Sequence, residues 1–399
     1  MRGGLLTLEE ALARILERVT PLTAEPVALV DAVGRVVSEP PLARVDLPPF
    51  ASSAMDGFAV RAEETPGALP IAFRIAAGSP ATESLPAGAA ASIATGGAVP
   101  DGADAVVPVE QTAEENGHVD ILEPARPSAH IRPRGGDVRK GEVVVPAGTR
   151  IGAAQVGALA AAGVAEVRCS RRPRVAVLAT GSELRSPGET LEPGEIFESN
   201  RATIAAVLAA AGAEVEQLPV VRDEETAHRE ALERGLSADV LVTSGGVSMG
   251  PHDLVRRIAS ELGVEEVFWG VAVKPGKPLS FGVREATLVF GLPGNPVSSL
   301  VGSLLFVQPA LLALQGASEP RPTYDTGRTA SALRRNPHRD EFVRARREPG
   351  DELGVVLEPL AGQESHMIVR AAAADALIHV PRGSGEIAPG APVRYLTLA

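Results

Sequence analysis

The stretch ADVLVTSGGVSMGPHDLVRRIASEL, residues 238–262, carries the pattern that decides the fold of this chain. Ala238 to Val242 is a short apolar run typical of a buried strand, and Asp253 to Leu262 has the apolar spacing of an amphipathic helix. Three glycines lie between them, and an acid opens the helix. Glycine permits positive φ and close approach of backbone N–H groups, and a helix N-terminus attracts anions. The stretch therefore predicts a strand, an anion-binding turn and a helix.

The same alternation of strands and helices extends from Arg174 to about Gln315, and it predicts a mostly parallel α/β sheet with right-handed crossovers. Short β runs broken by Pro and Gly precede and follow it, and the helical segments 8–19 and 153–162 are expected to pack together. The predicted parts are a discontinuous N-terminal helical linker domain (1–46 and 146–172), a β-rich inserted lobe (47–145), the α/β domain (173–318) and a small C-terminal β domain (319–399).

Composition narrows the function classes. The chain has 399 residues with 45% hydrophobic and 22% charged, which is globular, and its net charge of −12 argues against nucleic-acid binding. Cys169 is the only cysteine, so a reducing, cytoplasmic location is expected, and its sequence context favours simple packing over a nucleophilic role. We expect no signal peptide and no membrane span. No P-loop or GxGxxG motif is present, and the histidines lack zinc-ligand spacing.

Three glycine-containing corners follow predicted strands: ATGSEL (179–184), TSGGVSMGPHD (243–253) and GLPGNPVSS (291–299). Ligands of a parallel sheet bind beyond the carboxyl ends of its strands, so together these corners indicate a phosphorylated ligand. Any one of them alone could be an ordinary tight turn. The residues that they offer to a ligand are Thr180, Gly181, Ser182, Ser244, Gly245, Gly246, Ser248, Pro293, Gly294, Asn295 and Pro296.

Acids recur beside glycine or other small residues, at Asp56, Asp137, Glu183, Asp223 and Asp253. Carboxylate oxygens near a phosphate are how proteins usually hold Mg²⁺, which would explain an acid at the start of an anion-binding helix. The alternative for each acid is a turn or a helix cap.

Basic residues lie at two further turns. VKPGKP places Lys274 and Lys277 around a Pro-Gly turn, and IRPRGGD contains Arg132 and Arg134. Fixed cations of this kind suit an oxyanion, and the alternative is a solvated turn.

These motifs, in order over nearly the whole chain, resemble the molybdopterin molybdenumtransferase family, which includes the C-terminal domain of gephyrin. The motifs that carry the resemblance are SSAMDGFAVR (52–61), TGGAVPDGADAVV (95–107), IRPRGGDVRKGE (131–142), ATGSEL, SGGVSMGPHD, VKPGKP, GLPGNPVSS and SHMI (365–368). The resemblance implies an elongated, four-domain homodimer whose α/β domain binds molybdopterin. It also implies the reaction of adenylated molybdopterin with molybdate to give molybdenum cofactor and AMP, assisted by Mg²⁺.

The resemblance also implies roles for particular residues. Catalytic roles fall on Asp56, Glu183, Asp253 and Lys274, and metal binding on Glu183, Asp223 and Asp253. Cofactor-binding roles fall on the corner residues and on Thr95, Arg134, Asp137, Asp223, Lys277 and Ser365. One departure is Gly270, where many relatives have lysine. The implied dimer has composite sites, in which the Asp56 lobe of one subunit covers the α/β rim of the other.

Three other functions fit parts of the pattern. They are a molybdopterin adenylyltransferase-like enzyme, a nucleotide amidase built on the same α/β domain, and a non-catalytic scaffold or cofactor-storage protein. The β-rich lobe and the C-terminal β domain weigh against the first two, and the retained acids weigh against the third. The expected partners are small-molecule substrates, a second copy of the chain, the molybdopterin adenylyltransferase and molybdoenzyme apo-proteins, with no nucleic acid and no membrane.

Overall fold

The computed structural model describes residues 4–246, 254–350 and 354–398. Helix α1 (Leu8–Leu16) begins at a capping box, in which the Thr7 hydroxyl accepts from the Glu10 N–H at 3.1 Å and the Glu10 carboxylate accepts from the Thr7 N–H at 2.8 Å. These bonds satisfy two N–H groups that the helix itself leaves without partners. Strand β1 (Ala24–Ala28) follows.

The next segment is a lobe built on a six-stranded sheet of order β6-β3-β5-β4-β8-β7. Its strands are β2 (Ser52–Ser53), β3 (Gly57–Val60), β4 (Gly67–Ile75), β5 (Ala90–Ile93), β6 (Ala105–Pro108), β7 (Thr112–Glu115), β8 (His118–Ile121) and β9 (Ile131–Arg132). Strands β2 and β9 form a separate antiparallel pair. Apart from Phe58, Leu69 and Leu85, the buried core of the lobe consists of Ala, Val and Ile side chains.

The chain then returns through helix α2 (Ala153–Ala161) and strand β10 (Glu166–Ser170), which pairs antiparallel with β1. The two connections to the lobe are thus tied together beside one small core. Cys169 is buried in that core, and desolvation raises the pKa of its thiol. A buried, protonated thiol is a poor nucleophile, so the packing role expected for this cysteine is confirmed.

Helices α1 and α2 do not share a core, so the expectation that they pack together is wrong. The buried residues of α1, including Leu12 and Ile15, belong to the large cluster of the α/β domain. The buried Leu159 of α2 belongs to the cluster around β1 and β10. An amphipathic stripe shows that a helix buries one face but does not identify what it packs against.

The α/β domain contains a six-stranded sheet of order β14-β11-β15-β19-β18-β16. The strands of the domain are β11 (Arg174–Ala179), β12 (Leu184–Arg185), β13 (Ile196–Phe197), β14 (Glu214–Gln217), β15 (Val240–Ser244), β16 (Glu265–Trp269), β17 (Val273–Lys274), β18 (Ser280–Arg284) and β19 (Thr287–Leu292). Its helices are α3 (Asn200–Ala210), α4 (Glu225–Gly235), α5 (Leu254–Glu261), α6 (Pro296–Gly302) and α7 (Gln308–Leu314). The predicted α/β class is confirmed.

Four strands of this sheet, β14, β11, β15 and β19, are parallel, whereas β18 and β16 are antiparallel additions at one edge. Strand β18 was not predicted from the sequence. Because β18 lies between β19 and β16, β16 pairs antiparallel with β18 at the edge of the sheet, whereas the sequence predicted a parallel neighbour.

The segment 296–314 forms one continuous helical rod, with a π-helical turn at Ser303–Val307 between α6 and α7. By length and composition this helix could cross a membrane, but 72% of its apolar stretch is buried inside the fold. It is the core helix of the α/β domain, packing with α1, α3 and the sheet.

The C-terminal domain is a second six-stranded sheet, of order β17-β22-β23-β20-β26-β24. Its own elements are β20 (Asp325–Thr329), β21 (Leu333–Arg334), β22 (Asp340–Pro349), β23 (Val355–Pro359), α8 (Ile368–Ala371), β24 (Ala376–Val380), β25 (Glu386–Ile387) and β26 (Pro392–Thr397). The edge strand β17 comes from the α/β domain and pairs parallel with β22. The C-terminal β domain is therefore joined to the α/β domain by backbone hydrogen bonds.

One ion pair fastens the linker to the α/β sheet. The two terminal nitrogens of Arg171 bind the two carboxylate oxygens of Asp239 at 2.7 and 2.6 Å, and the Arg174 N–H donates to the same carboxylate at 2.8 Å. Burial acts to raise the pKa of Asp239, but the hydrogen bonds from Arg171 and Arg174 outweigh it and hold that pKa below its ordinary value.

We expect Asp239→Asn to lower the free energy of unfolding by about 2 kcal/mol at neutral pH, because it removes a charge-assisted pair. A depressed carboxyl pKa stabilises the fold above the ordinary value of 3.8. The difference between wild type and variant should therefore shrink as the pH falls below that value. Urea unfolding across this range measures it. Asp120→Asn, at an exposed carboxylate in β8, is the control, and an equal effect of both changes would contradict the assignment.

Candidate active-site cavity

The ends of three parallel strands lie level with one another. Ala179 of β11 is paired with Ser244 of β15, and Ser244 is paired with Leu292 of β19. The corners that follow these strands therefore meet at one edge of the sheet. They surround a cavity of about 460 Å³. The predicted residues that line it are Thr180, Gly181, Glu183, Asp223, Ser244, Gly245, Gly246, Gly294, Asn295 and Pro296.

Glycine is required by geometry in the corner after β15. Gly245 has φ +90°, and a Cβ there would lie 2.8 Å from the Thr180 carbonyl oxygen. Gly246 has φ +64°, and a Cβ there would lie 2.5 Å from a methyl group of Val255. Both the positive φ and the close approach exclude a side chain, so the corner brings bare backbone to the cavity.

Two acids of the cavity are Glu183, from the corner after β11, and Asp223, from the loop before α4. Asp223 accepts hydrogen bonds from the Ser182 hydroxyl at 3.1 Å and from the Ser182 N–H at 3.4 Å, which tie the first corner to the loop before α4. The carboxylate of Glu183 folds back over Gly181, within 3 Å of where a Cβ on that glycine would be. Two carboxylates thus face the same cavity as the glycine corners.

Several cavity residues were missed by the sequence reasoning, chiefly Glu198, Asn200 and His228. Asn200 opens α3 and clamps two corners, because its Nδ2 lies 2.8 Å from both the Ser244 hydroxyl and the Gly294 carbonyl oxygen. The polar triplet ESN (198–200) just before an Ala-rich helix was the available signal, and it resembles an ordinary helix start. His228 lies inside a charged helix and gave no signal.

Glu198 is buried beside the same helix start. Its carboxylate accepts from the Arg201 N–H at 2.8 Å and from Arg201 Nε at 2.9 Å, and Arg201 also donates to the Leu218 carbonyl. Because both charges are paired, this acid serves the wall of the cavity and the start of α3.

Asp56 and Thr95, 39 positions apart, are brought together in the β-rich lobe. The Asp56 carboxylate accepts from the Thr95 N–H at 2.6 Å and from its hydroxyl at 2.9 Å. These two bonds hold the pKa of Asp56 below its ordinary value, and the bond from the backbone N–H has the larger effect. The exposed group is therefore a carboxylate at neutral pH. Neither residue is part of the wall of the cavity.

Arg134 and Asp137 also lie outside the cavity wall. Arg134 Nε donates to Asp46 at 2.5 Å, and the Lys140 N–H donates to the other oxygen of that carboxylate at 2.9 Å. The Asp137 side chain is exposed. The positive charge of Arg134 is therefore partly neutralised by Asp46.

The lysine turn lies between the α/β and C-terminal domains. Lys274 Nζ donates to Glu341 at 3.1 Å, and Lys277 is exposed; neither lines the cavity. Ser365 contacts the start of α6 through its carbonyl oxygen, which accepts from the Val297 N–H at 3.0 Å. The following residue, His366, reaches the cavity wall.

Gly270, the position that departs from the family pattern, has φ +87°. Its carbonyl oxygen accepts from the Leu6 N–H at 3.3 Å, so the N-terminal segment lies against this turn. A backbone of this kind favours glycine over lysine. Ser248 and Asp253 lie outside the described residues, so the role expected for Asp253 stays a prediction.

Three family descriptions match successive parts of the chain. The MoeA N-terminal region (domain I and II) matches residues 6–163, the probable molybdopterin binding domain matches residues 176–313, and the MoeA C-terminal region (domain IV) matches residues 326–398.

Similar proteins extend over nearly the full length. A molybdopterin molybdenumtransferase of Haemophilus influenzae is 34% identical over 395 residues, and molybdopterin molybdenumtransferase 2 of Mycobacterium tuberculosis is 36% identical over 405 residues; each match covers 98% of both chains. The crystal structure of the molybdopterin biosynthesis moeA protein from Pyrococcus horikoshii OT3 superposes with a TM-score of 0.85 at 29% identity, covering 99% of this chain and 100% of that one. Identity at this level over the whole length, on the same fold, shows that the chain belongs to the molybdopterin molybdenumtransferase family.

Proposed function

We propose that this chain inserts molybdenum into molybdopterin during molybdenum cofactor biosynthesis. Its substrates are adenylated molybdopterin and molybdate, and its products are molybdenum cofactor and AMP. The observation that carries the proposal is the convergence of three glycine corners and two carboxylates on one cavity at the carboxyl edge of a parallel sheet. That edge is where α/β sheets bind phosphorylated ligands.

The corners suit the pyrophosphate of the adenylated substrate. Each of the corners after β11, β15 and β19 contributes glycine to the cavity: Gly181, Gly245 with Gly246, and Gly294. Backbone N–H groups in such turns form concave anion sites. The phosphate group linking AMP to molybdopterin is the natural occupant, which leaves the adenosine and pterin ends to the walls on either side.

The acids suit Mg²⁺. The described residues contain no group of three His, Cys, Asp or Glu placed to hold a metal. Mg²⁺ does not need such a cage, because one or two carboxylates plus substrate phosphates and water commonly hold it. Glu183 and Asp223 supply those carboxylates, with Asp253 as the predicted third. The bound ion would neutralise charge on the departing AMP phosphate.

The chain's own groups then have defined tasks. The N–H groups of Gly181 and Gly245 donate to the carbonyl oxygens of Val221 and Leu292, so the phosphates bind at the other N–H groups of the corners. Ser182 fixes the orientation of Asp223 by two hydrogen bonds. The bond that breaks joins the AMP phosphorus to its bridging oxygen: a water or molybdate oxygen attacks that phosphorus, and the bridging oxygen leaves on the molybdopterin phosphate. The dithiolene sulfurs form their bonds to molybdenum by displacing oxygens of molybdate, which leave as water or, after attack by molybdate, with AMP. No protein nucleophile is required.

Lys274 and Lys277 are proposed to receive molybdate. They lie around one turn, and Glu341 already holds Lys274 in position at 3.1 Å. Two ammonium groups on one turn suit a dianion, and Lys277, which has no acid partner among the described residues, contributes the charge that Glu341 does not offset.

The functional unit is proposed to be a cytoplasmic homodimer with composite sites. Asp56 and Thr95 form a preorganised, exposed pair that does not reach the cavity of its own chain. A two-fold axis would allow the lobe of one subunit to complete the cavity of the other. The molybdopterin adenylyltransferase and molybdoenzyme apo-proteins are proposed as partners before and after this step.

AMP release from adenylated molybdopterin with molybdate and Mg²⁺ tests the central proposal. Asp223→Asn should shift the Mg²⁺ concentration needed for half-maximal release upward at least tenfold, because an amide is a much poorer Mg²⁺ ligand. Glu224→Gln, a neutralisation at the adjacent residue, is the matched control and should leave the Mg²⁺ dependence unchanged. Unaltered Mg²⁺ dependence in Asp223→Asn would remove that residue from the metal site.

Equilibrium molybdate binding tests the lysine turn. Lys277→Ala should weaken binding about tenfold, since one of the two positive charges of the turn is lost. Lys140→Ala, which removes an exposed lysine in the lobe, should not weaken it. Equal affinities in the two variants would show that the turn serves only to connect β17 and β18.

Subunit mixing tests the composite site. Asp56→Ala and Asp223→Ala homodimers should each be inactive, because every site lacks one acid. Random exchange makes about half of the dimers mixed, and each mixed dimer has one intact site, so roughly a quarter of wild-type activity should return. Proven exchange without recovered activity would place each complete site within one chain.

A further inference from the structure

The cavity wall contains two polar side chains to which the proposed chemistry assigns no task. His228 in α4 and Asn200 at the start of α3 are 1% and 8% exposed, and both line the cavity. Oδ1 of Asn200 is buried without a hydrogen-bond partner among the described residues. The side-chain hydrogen bond of His228 is made by Nδ1, which leaves Nε2 as its other polar atom. The hydrogen bonds that these residues do make determine what the remaining atoms can bind.

The tautomer of His228 follows from its environment. Its Nδ1 lies 3.0 Å from the carbonyl oxygen of Glu224. A carbonyl oxygen only accepts, so Nδ1 must carry the hydrogen and donate it. In the neutral ring, Nε2 then has a lone pair and no hydrogen. The atom left for a ligand is therefore an acceptor.

The orientation of the Asn200 amide is fixed by the same reasoning. The atom 2.8 Å from the Gly294 carbonyl oxygen must be Nδ2, because that oxygen needs a donor. Its second hydrogen points to the Ser244 hydroxyl at 2.8 Å. The remaining Oδ1 is buried and unpartnered, which makes it a second acceptor without a donor.

We infer that this wall recognises the N–H edge of the pterin ring, with His228 Nε2 as the acceptor that determines ring specificity. The inference rests on the proposed function and adds a named contact to it. With His228 neutral, a phosphate oxygen at these atoms would place lone pairs against lone pairs, so the two atoms suit N–H donors. Adenine offers one amine flanked by two acceptors, whereas the aminopyrimidinone edge of a pterin presents adjacent N–H donors. Two acceptors lining one cavity suit this pair of donors.

Two substitutions separate the Nε2 contact from the packing of the ring. His228→Asn retains a donor toward the Glu224 carbonyl but has no atom at the Nε2 position. His228→Gln places an amide oxygen near that position. A third variant, His228→Leu, fills the volume without any polar atom. Melting temperatures close to that of wild type establish which variants are folded.

The measurement is the dissociation constant for molybdopterin and, separately, for AMP, with each folded variant. We expect His228→Asn and His228→Leu to bind molybdopterin about tenfold more weakly, because a buried donor loses its partner. His228→Gln should remain within threefold of wild type. AMP affinity should be unchanged in all three.

Three results would overturn the inference. Wild-type molybdopterin affinity in His228→Asn and His228→Leu would show that Nε2 makes no contact. An equal loss in His228→Gln would assign the effect to ring packing. A loss confined to AMP would show that the wall contacts adenine. A wild-type protein that binds no molybdopterin would instead contradict the proposed function, so the two failures are distinguishable.

Discussion

The level ends of three parallel strands are the constraint on which this structure depends. The pairing of Ala179 with Ser244 and of Ser244 with Leu292 places three corners at one edge. A slip of one residue in either pair would turn every side chain of that strand to the opposite face. Buried Val and Leu side chains on both faces of the sheet oppose such a slip. The position of the cavity is thus a consequence of core packing.

Once the corners meet, their polar groups must be satisfied without filling the cavity. The Asn200 amide bridges two corners, and the Ser182 hydroxyl joins a third to Asp223. Each bridge connects segments that are distant in sequence, so each restrains the corners relative to one another. Gly245 and Gly246 make no such bridge through a side chain. Because they have none, their backbone lies at the surface of the cavity. Shape and polarity of the site therefore come from different residues.

Sequence patterns anticipated the parts of the fold that depend on local order. The alternation of apolar and helical segments identified β11, α3, β15 and β19, and the spacing of glycine and acids identified the corners. Three features could not be predicted, each because it depends on distant contacts. Helix α1 packs on a domain that begins more than 150 residues later, β18 is defined by its neighbours β16 and β19, and Asn200 resembles an ordinary helix start.

The pairing of β17 with β22 has a consequence for how this protein could be divided. The border between the α/β and C-terminal domains along the sequence differs from the border in space, because Val273 and Lys274 belong to the sheet of the following domain. A protein truncated after α7 would expose an unpaired strand edge and leave Lys274 without Glu341. Exchange of the C-terminal domain with that of a relative would likewise replace β22, the strand with which β17 pairs. The two domains therefore behave as one unit for protein engineering, and a chimaera must carry the segment 273–278 together with β22.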